Sequence, residues 1–199
     1  MLRIERLRSA LVGPFDLEIE AGRCLAVMGA SGAGKSLFLR MIADLDPHEG
    51  EVWLHDRARA SMPAHAWRAQ AVYVAAESGW WADGVAEHFR RERLDQARAL
   101  AAGLGLAPAM IEAQVARLST GERQRLALVR ALVLESPVLL LDEPTAALDQ
   151  ASVLQVEALL RARLAAGASL ILVTHDPAQA ERLGDQRRTL VQGRLEAAA

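Results

Sequence analysis

The stretch GASGAGKS, Gly29–Ser36, limits the possible fold more than any other part of the chain. It fits the pattern G-x-x-x-x-G-K-[ST], in which glycines let successive backbone N–H groups curl around phosphate oxygens. Its flanks are the ones such a loop needs. Cys24–Met28 before it is a continuous apolar run, as in a strand buried on both faces. After it a helix is expected from about Lys35 to Ala43, and its N-terminus adds roughly half a positive charge. Gly29, Ala30, Ser31, Gly32, Ala33, Gly34, Lys35 and Ser36 are therefore the expected phosphate-binding residues. In this pattern Lys35 reaches the β- and γ-phosphates of a nucleoside triphosphate and the Ser36 hydroxyl binds Mg²⁺. The chain has 23 basic residues, and Lys35 is the only lysine among them. Codon bias accounts for the arginines. The exception stands where a compact, mobile point charge serves better than a planar fork.

The rest of the composition excludes more than it assigns. A chain of 199 residues suits one domain, with room for a small subdomain. Cys24 is alone, so an internal disulfide framework is excluded. The longest apolar run, around Val138–Leu141, is strand-sized and too short for a membrane span. A soluble chain is expected, bound to a membrane only through a partner. A net charge of −2 offers no global field for nucleic acid.

Strand and helix alternate in the first and last thirds. Leu2–Leu7, Phe15–Ile19, Val52–Leu54, Ala71–Val74, Val138–Leu141 and Leu170–Val173 read as strands. Arg188–Val191 with Arg194–Leu195 reads as an edge hairpin. Helices are expected over Ala151–Ala165 and Pro177–Leu183, and from Ser119 to about Leu134. The whole segment from Val85 to Leu134 is rich in Ala, Arg, Leu and Glu and reads as helical, broken at Gly103, Gly105 and Pro108. The expected fold is α/β: a parallel-sheet core, an antiparallel β region and a helical insert.

Two further motifs carry chemistry. VLLLDEP, Val138–Pro144, is a buried strand that ends in two acids, where acids can emerge over a bound phosphate. Asp142 is expected to hold the Mg²⁺ hydration shell, and Glu143 to accept a proton from attacking water. In LSTGERQR, Leu118–Arg125, Ser119 and Glu122 have capping-box spacing, which alone marks only a good helix start.

The order of these motifs says more than each does alone. The phosphate loop, LSTGE, LLLDEP followed by Ala147-Leu148-Asp149, and Thr174-His175-Asp176 after a strand together resemble the ATP-binding cassette (ABC) ATPase family, a P-loop NTPase fold. The resemblance covers Leu2 to Leu195 and makes the chain one ABC ATPase domain, 1–199, with a helical subdomain at about 83–134. It implies ATP and Mg²⁺ as ligands and a head-to-tail dimer, expected as a homodimer, with two ATP molecules sandwiched between subunits. It implies that Ser119 and the Gly121 amide contact the γ-phosphate held by the other subunit, with Asp149 linking across the dimer. It implies that Glu143 is the general base and that His175 contacts the γ-phosphate and orients the water. The partner it implies is an integral-membrane permease subunit, with no nucleic acid expected. That places the chain in the cytoplasm, peripheral on the inner face of the cell membrane. Two other classes stay open: a non-transport cassette ATPase acting on nucleic acid or ribosomes, and a phosphotransferase using the same loop. Neither a long coiled-coil insert nor an acceptor site is visible for them.

The chain departs from the family pattern at several positions. Thr120 and Glu122 stand where the family usually has glycine and glutamine. Ala76 stands where the family has a glutamine that touches Mg²⁺ and water, so Glu77 or water is expected to replace it. The stretch Arg6–Pro14 has no aromatic residue to stack on adenine, which leaves Arg8 as a stacking candidate. Trp80 and Trp81 fall in the loop that, in this family, lines the groove for a cytoplasmic helix of the permease. One ring is expected to pack under the helical subdomain, with Trp81 the expected groove wall; burial of both is the other reading.

Overall fold

The structure, a computed structural model, describes residues 1–197. Strands β1 (Leu2–Arg8) and β2 (Phe15–Ile19) form an antiparallel pair, and β3 (Cys24–Met28) leads through the glycine loop into α1 (Lys35–Ile42). Strands β4 (Glu49–Leu54) and β5 (Arg57–Ala58) return to the first pair, and α2 (Ala64–Arg68) precedes β6 (Ala71–Val74). Helices α3 (Leu94–Gly103) and α4 (Thr120–Leu132) follow. Then come β7 (Val138–Asp142), α5 (Gln150–Ala165), β8 (Ser169–Val173), α6 (Pro177–Leu183), β9 (Gln186–Val191) and β10 (Arg194–Ala197).

These strands make two sheets, a four-stranded one in the order β2-β1-β4-β5 and a six-stranded one in the order β10-β9-β3-β8-β7-β6. The first is antiparallel throughout. In the second, β9, β3, β8, β7 and β6 are parallel and β10 turns back along the edge. Alternation along the strands divides the core. Val138 and Leu140 pack with Phe38, Ile42 and the antiparallel sheet, whereas Leu139 and Leu141 pack with α4 and α5 on the other face. Coverage of both faces is why β7 and β8 read as unbroken apolar runs. Buried in this sheet beside Asp185, the Cys24 thiol is pushed up to about 12 by desolvation, so it stays an inert thiol at neutral pH.

Two stretches differ from the sequence reading. Between 85 and 119 the only α-helix is α3; the rest is short 3₁₀ segments joined by irregular chain. Composition there favours helix, but the backbone donors are used across the chain. Val85 N–H donates to the Ala113 carbonyl and Val115 N–H to the Asp83 carbonyl, closing the segment on itself. The second stretch is α2, for which the sequence carries no periodic signal. It exists because Trp67 is fully buried and its Nε1 donates to the Ile42 carbonyl at 2.8 Å. That bond supplies a partner to a carbonyl at the C-terminal end of α1, where intrahelical partners run out.

Candidate active site

Tertiary packing fixes the glycine loop from both sides. Gly29 has φ +143°, and a Cβ there would lie 2.5 Å from the Leu190 carbonyl oxygen of β9. Gly34, φ +101°, caps α1 and would drive a Cβ into the Val12 side chain. Only glycine fits either position. No side chain caps α1, so its first N–H groups are left for a ligand, the usual anion site at a helix N-terminus. The Lys35 ammonium is 6% exposed and donates to the carbonyls of Gly29 at 2.8 Å and Ala30 at 2.9 Å. An ammonium has three donors, so one N–H stays free above the loop. Ser31, Gly32 and Ser36 are exposed.

The parallel strands β7 and β8 are neighbours, and both deliver chemistry at their C-terminal ends. Glu143 follows β7 and His175 follows β8, and His175 Nε2 lies 2.7 Å from Glu143 Oε1. The Glu143 N–H donates to the Val173 carbonyl at 3.0 Å. Glu143 also has φ +49°, a left-handed conformation that costs a non-glycine residue of order 1 kcal/mol and persists where a site needs the side chain aimed. Asp142, 3% exposed, accepts the Tyr73 hydroxyl on Oδ2 at 2.9 Å. Burial, then the neighbouring carboxylate, push the Tyr73 hydroxyl pKa up, so it stays a donor. Among the described residues the other Asp142 oxygen accepts no hydrogen bond within the chain. A buried carboxylate with a spare oxygen and the exposed hydroxyl of Ser36 are both oxygen donors, the kind a hard cation such as Mg²⁺ takes. No cluster of three or more His, Cys, Asp or Glu side chains could hold a metal alone among the described residues, so phosphate oxygens would have to complete such a site.

Ser119, Gly121 and Asp149 lie apart from the loop. Ser119 caps α4 in a complete capping box: its N–H and hydroxyl donate to Glu122 at 2.7 and 2.8 Å, and Glu122 N–H donates back to the serine oxygen. Those bonds, the backbone one first, hold the Glu122 carboxyl below its usual range. Asp149 caps α5, accepting the Ser152 N–H at 2.8 Å, which lowers its pKa as well. Among the described residues no hydrogen bond joins these residues to Gly29–Ser36. Helix α4, which Ser119 caps, is tied to Glu143 through Gln124. Gln124, 6% exposed, donates to the Glu143 carbonyl at 2.8 Å and accepts the Ala147 N–H at 3.2 Å. The sequence reading passed over Gln124 and Tyr73, since neither stands in a motif whose spacing marks its partner.

Ala76 and Glu77 are exposed on a cleft of about 420 Å³ shared with Thr120, Arg123 and Gln124. Arg8 is held by Glu49, with Nε and Nη2 at 3.0 and 2.5 Å from one carboxylate oxygen, so its plane is set by that acid. The exposed apolar side chain on the same loop is Leu11, at 80%, next to the Val12 that abuts Gly34. Trp80 and Trp81 part company: Trp80 packs against the helical core, and Trp81 is 71% exposed. Trp81 lines a groove of about 560 Å³ with Leu45 and Leu134, which are also exposed.

A loop of this geometry between a buried parallel strand and a helix, with two acids at the end of β7 across the intervening β8, defines a P-loop nucleoside-triphosphatase fold. The ABC transporter family model matches residues 12–146, more than half of the chain, and the chain belongs to that family. It is similar to the aliphatic sulfonates import ATP-binding protein SsuB of Ralstonia nicotianae, 40% identical over 194 residues that cover 94% of this chain and 66% of that protein. It is similar also to the hemin import ATP-binding protein HmuV of Streptomyces coelicolor, 39% identical over 92% of this chain and 70% of that one. The chain thus spans about two thirds of the length of these curated relatives. In fold it matches the dimeric post-hydrolysis structure of the ATP-binding cassette MJ0796 bound to ADP and Pi, with TM-score 0.84 and 24% identity over 99% of this chain and 98% of that one.

Proposed function

We propose that the chain binds and hydrolyses ATP as the nucleotide-binding subunit of a transporter, driving a separate integral-membrane permease. The observation that carries this reading is the Glu143–His175 contact of 2.7 Å on adjacent strand ends, in a chain of the ABC transporter family. Gly29–Ser36 holds the triphosphate, with backbone N–H groups and Lys35 on its oxygens. A water over the γ-phosphate gives its proton to Glu143 as its oxygen bonds phosphorus and the bond to the ADP oxygen breaks. His175, donating from Nε2, keeps the carboxylate aimed. Ser36 and Asp142 would hold Mg²⁺, which when bound supplies Lewis-acid stabilisation of phosphate charge. Ser119, Gly121 and Asp149 act in trans, in a head-to-tail homodimer. Residues 83–134 form the helical subdomain, and the Trp81 groove receives a cytoplasmic helix of the permease. The chain then works peripherally on the inner face of the cell membrane. No helix among the described residues is long and apolar enough to cross a membrane itself.

Lys35→Ala tests the assignment. Losing charge-assisted bonds to phosphate weakens ATP binding by about 10–10²-fold per bond lost. Titration calorimetry of the purified protein reads this directly, and unchanged affinity would remove the phosphate-loop assignment and the proposed function with it.

Tyr73→Phe tests the metal side. Removing a partner that orients a ligand typically costs about 10–100-fold in metal affinity or activity. The Mg²⁺ requirement of ATP turnover should rise by that order at unchanged ATP affinity without metal, and Mn²⁺ binding to the ATP complex, followed by electron paramagnetic resonance, should weaken in parallel. An unchanged metal titration would make the Tyr73–Asp142 bond purely structural.

A further inference from the structure

The Trp81 groove holds an arginine that finds no acid among the described residues. Arg130, in the last turn of α4, places its guanidinium carbon 4.9 Å from the Trp80 ring centroid and 4.8 Å from that of Trp81. Its Nη1 donates to the Gly79 carbonyl at 3.0 Å. A guanidinium has five N–H donors. Among the described residues the remaining ones make no hydrogen bond, and no carboxylate comes within ion-pair distance. Arg8, Arg23, Arg40, Arg93 and Arg182 each hold a carboxylate; Arg125 and Arg163 also lack one and donate to carbonyls, but among the described residues Arg130 is the arginine that stacks on two indole rings. Burial alone pushes the Arg130 pKa down, with no acid opposing it. Stacking on two indole faces offsets part of that cost.

The surroundings extend the pattern. Arg130 lines both the groove of about 560 Å³ and a neighbouring cleft of about 480 Å³ that adds His88, Phe89, Arg90 and Arg93. No aspartate or glutamate lines either one. The apolar part is exposed but held in place. The Trp81 ring sits 4.4 Å from His88, and the Trp81 and Ala82 N–H groups donate to His88 Nε2 at 3.1 and 3.3 Å. Nε2 is thus the acceptor, and Nδ1 carries the proton toward the Gly84 carbonyl. A rigid, exposed aromatic beside an unpaired planar cation is a binding surface paid for in advance of its ligand.

We propose that Arg130 reads a carboxylate on the docking partner. The groove takes an amphipathic helix whose apolar face meets Leu45, Trp81 and Leu134 and carries one glutamate or aspartate opposite Arg130. This rests on the reading of the groove as the permease site and adds the charge that selects the partner. A bidentate arginine–carboxylate bond away from bulk water is among the stronger polar contacts. The concave, apolar shape favours a helix over a flat lipid surface, although an anionic headgroup shares the charge.

Three fluorescein-labelled peptides of one amphipathic helix, leucine-faced, with Glu, Gln or Lys at the centre of that face, test this by fluorescence anisotropy. The native protein should bind the Glu peptide about 10-fold or more tightly than the Gln peptide, and the Lys peptide least. Arg130→Gln, with ATP turnover unchanged, should abolish the preference, and Arg130→Lys should keep the order if the glutamine variant melts without cooperativity. Trp81→Ala should weaken all three peptides together. Equal affinity for the Glu and Gln peptides overturns the Arg130 inference while binding that depends on Trp81 leaves the groove standing. Failure of every peptide to bind, or binding indifferent to Trp81→Ala, overturns the groove reading as well. Arg130-dependent capture on vesicles of phosphatidylcholine with phosphatidylglycerol, without peptide preference, assigns the cation to a membrane and overturns the proposal.

Discussion

Glu143→Gln should keep ATP binding and lower turnover by about 10²–10⁴-fold, the usual cost of losing a general base. The amide is nearly isosteric, and its oxygen still accepts from His175, so the 2.7 Å contact and the left-handed backbone at Glu143 survive. What disappears is the capacity to take a proton. If the site acts across a dimer, ATP then accumulates uncleaved and should hold two copies together on size-exclusion chromatography. Single-turnover hydrolysis with that chromatography separates the two effects. Near-normal hydrolysis would move the base elsewhere, and Glu77 is next, since its exposed carboxylate makes no hydrogen bond or ion pair within the chain among the described residues.

Trp67→Ala should destabilise the fold by about 3–5 kcal/mol, the range for removing a buried aromatic from a core. At roughly 2–4 °C per kcal/mol for a chain of this size, the melting temperature falls by about 6–20 °C. The ring is fully buried, and its Nε1 holds the Ile42 carbonyl at the far end of the helix that begins at the phosphate loop. Trp67→Phe keeps part of the volume and removes the bond, so its loss is smaller and reports the carbonyl left without a partner. Scanning calorimetry of both variants decides. A melting temperature for Trp67→Ala within a degree or two of the native one would mean that neighbouring side chains collapse into the space and that α2 is no buttress.

The two predictions differ in how far their residues could be read in advance. Glu143 was legible because the strand, the acids and the phosphate loop are each contiguous in sequence, and local order carries their meaning. His175 stands 32 positions from Glu143, and only the family resemblance named it; β7 and β8 lying side by side is what brings them into contact. Trp67, Tyr73 and Gln124 left no signal of their own. Each acts through hydrogen bonds to groups distant in sequence, and such pairings follow from sheet order and helix packing, not from spacing. Arg130 is masked by abundance, since nothing in the sequence sets it apart from the other arginines. The segment between 85 and 119 shows the opposite error. Its composition favours helix, but the Val85 and Val115 amides bond across the segment, and tertiary closure overrides propensity.

The Lys35 ammonium, tucked against the carbonyls of Gly29 and Ala30, is also the one side-chain amine in the sequence. Reagents that acylate amines therefore have a single side-chain target here, and it lies in the loop proposed to hold the triphosphate. Chemical footprinting of this chain needs no engineered tag: the rate at which that one amine is acylated, with and without nucleotide, is a direct occupancy meter. The same fact governs covalent regulation. Any acyl group placed on a lysine of this chain removes the charge that the proposed function sets on the phosphates, so on that reading lysine acetylation acts on it as an off-switch.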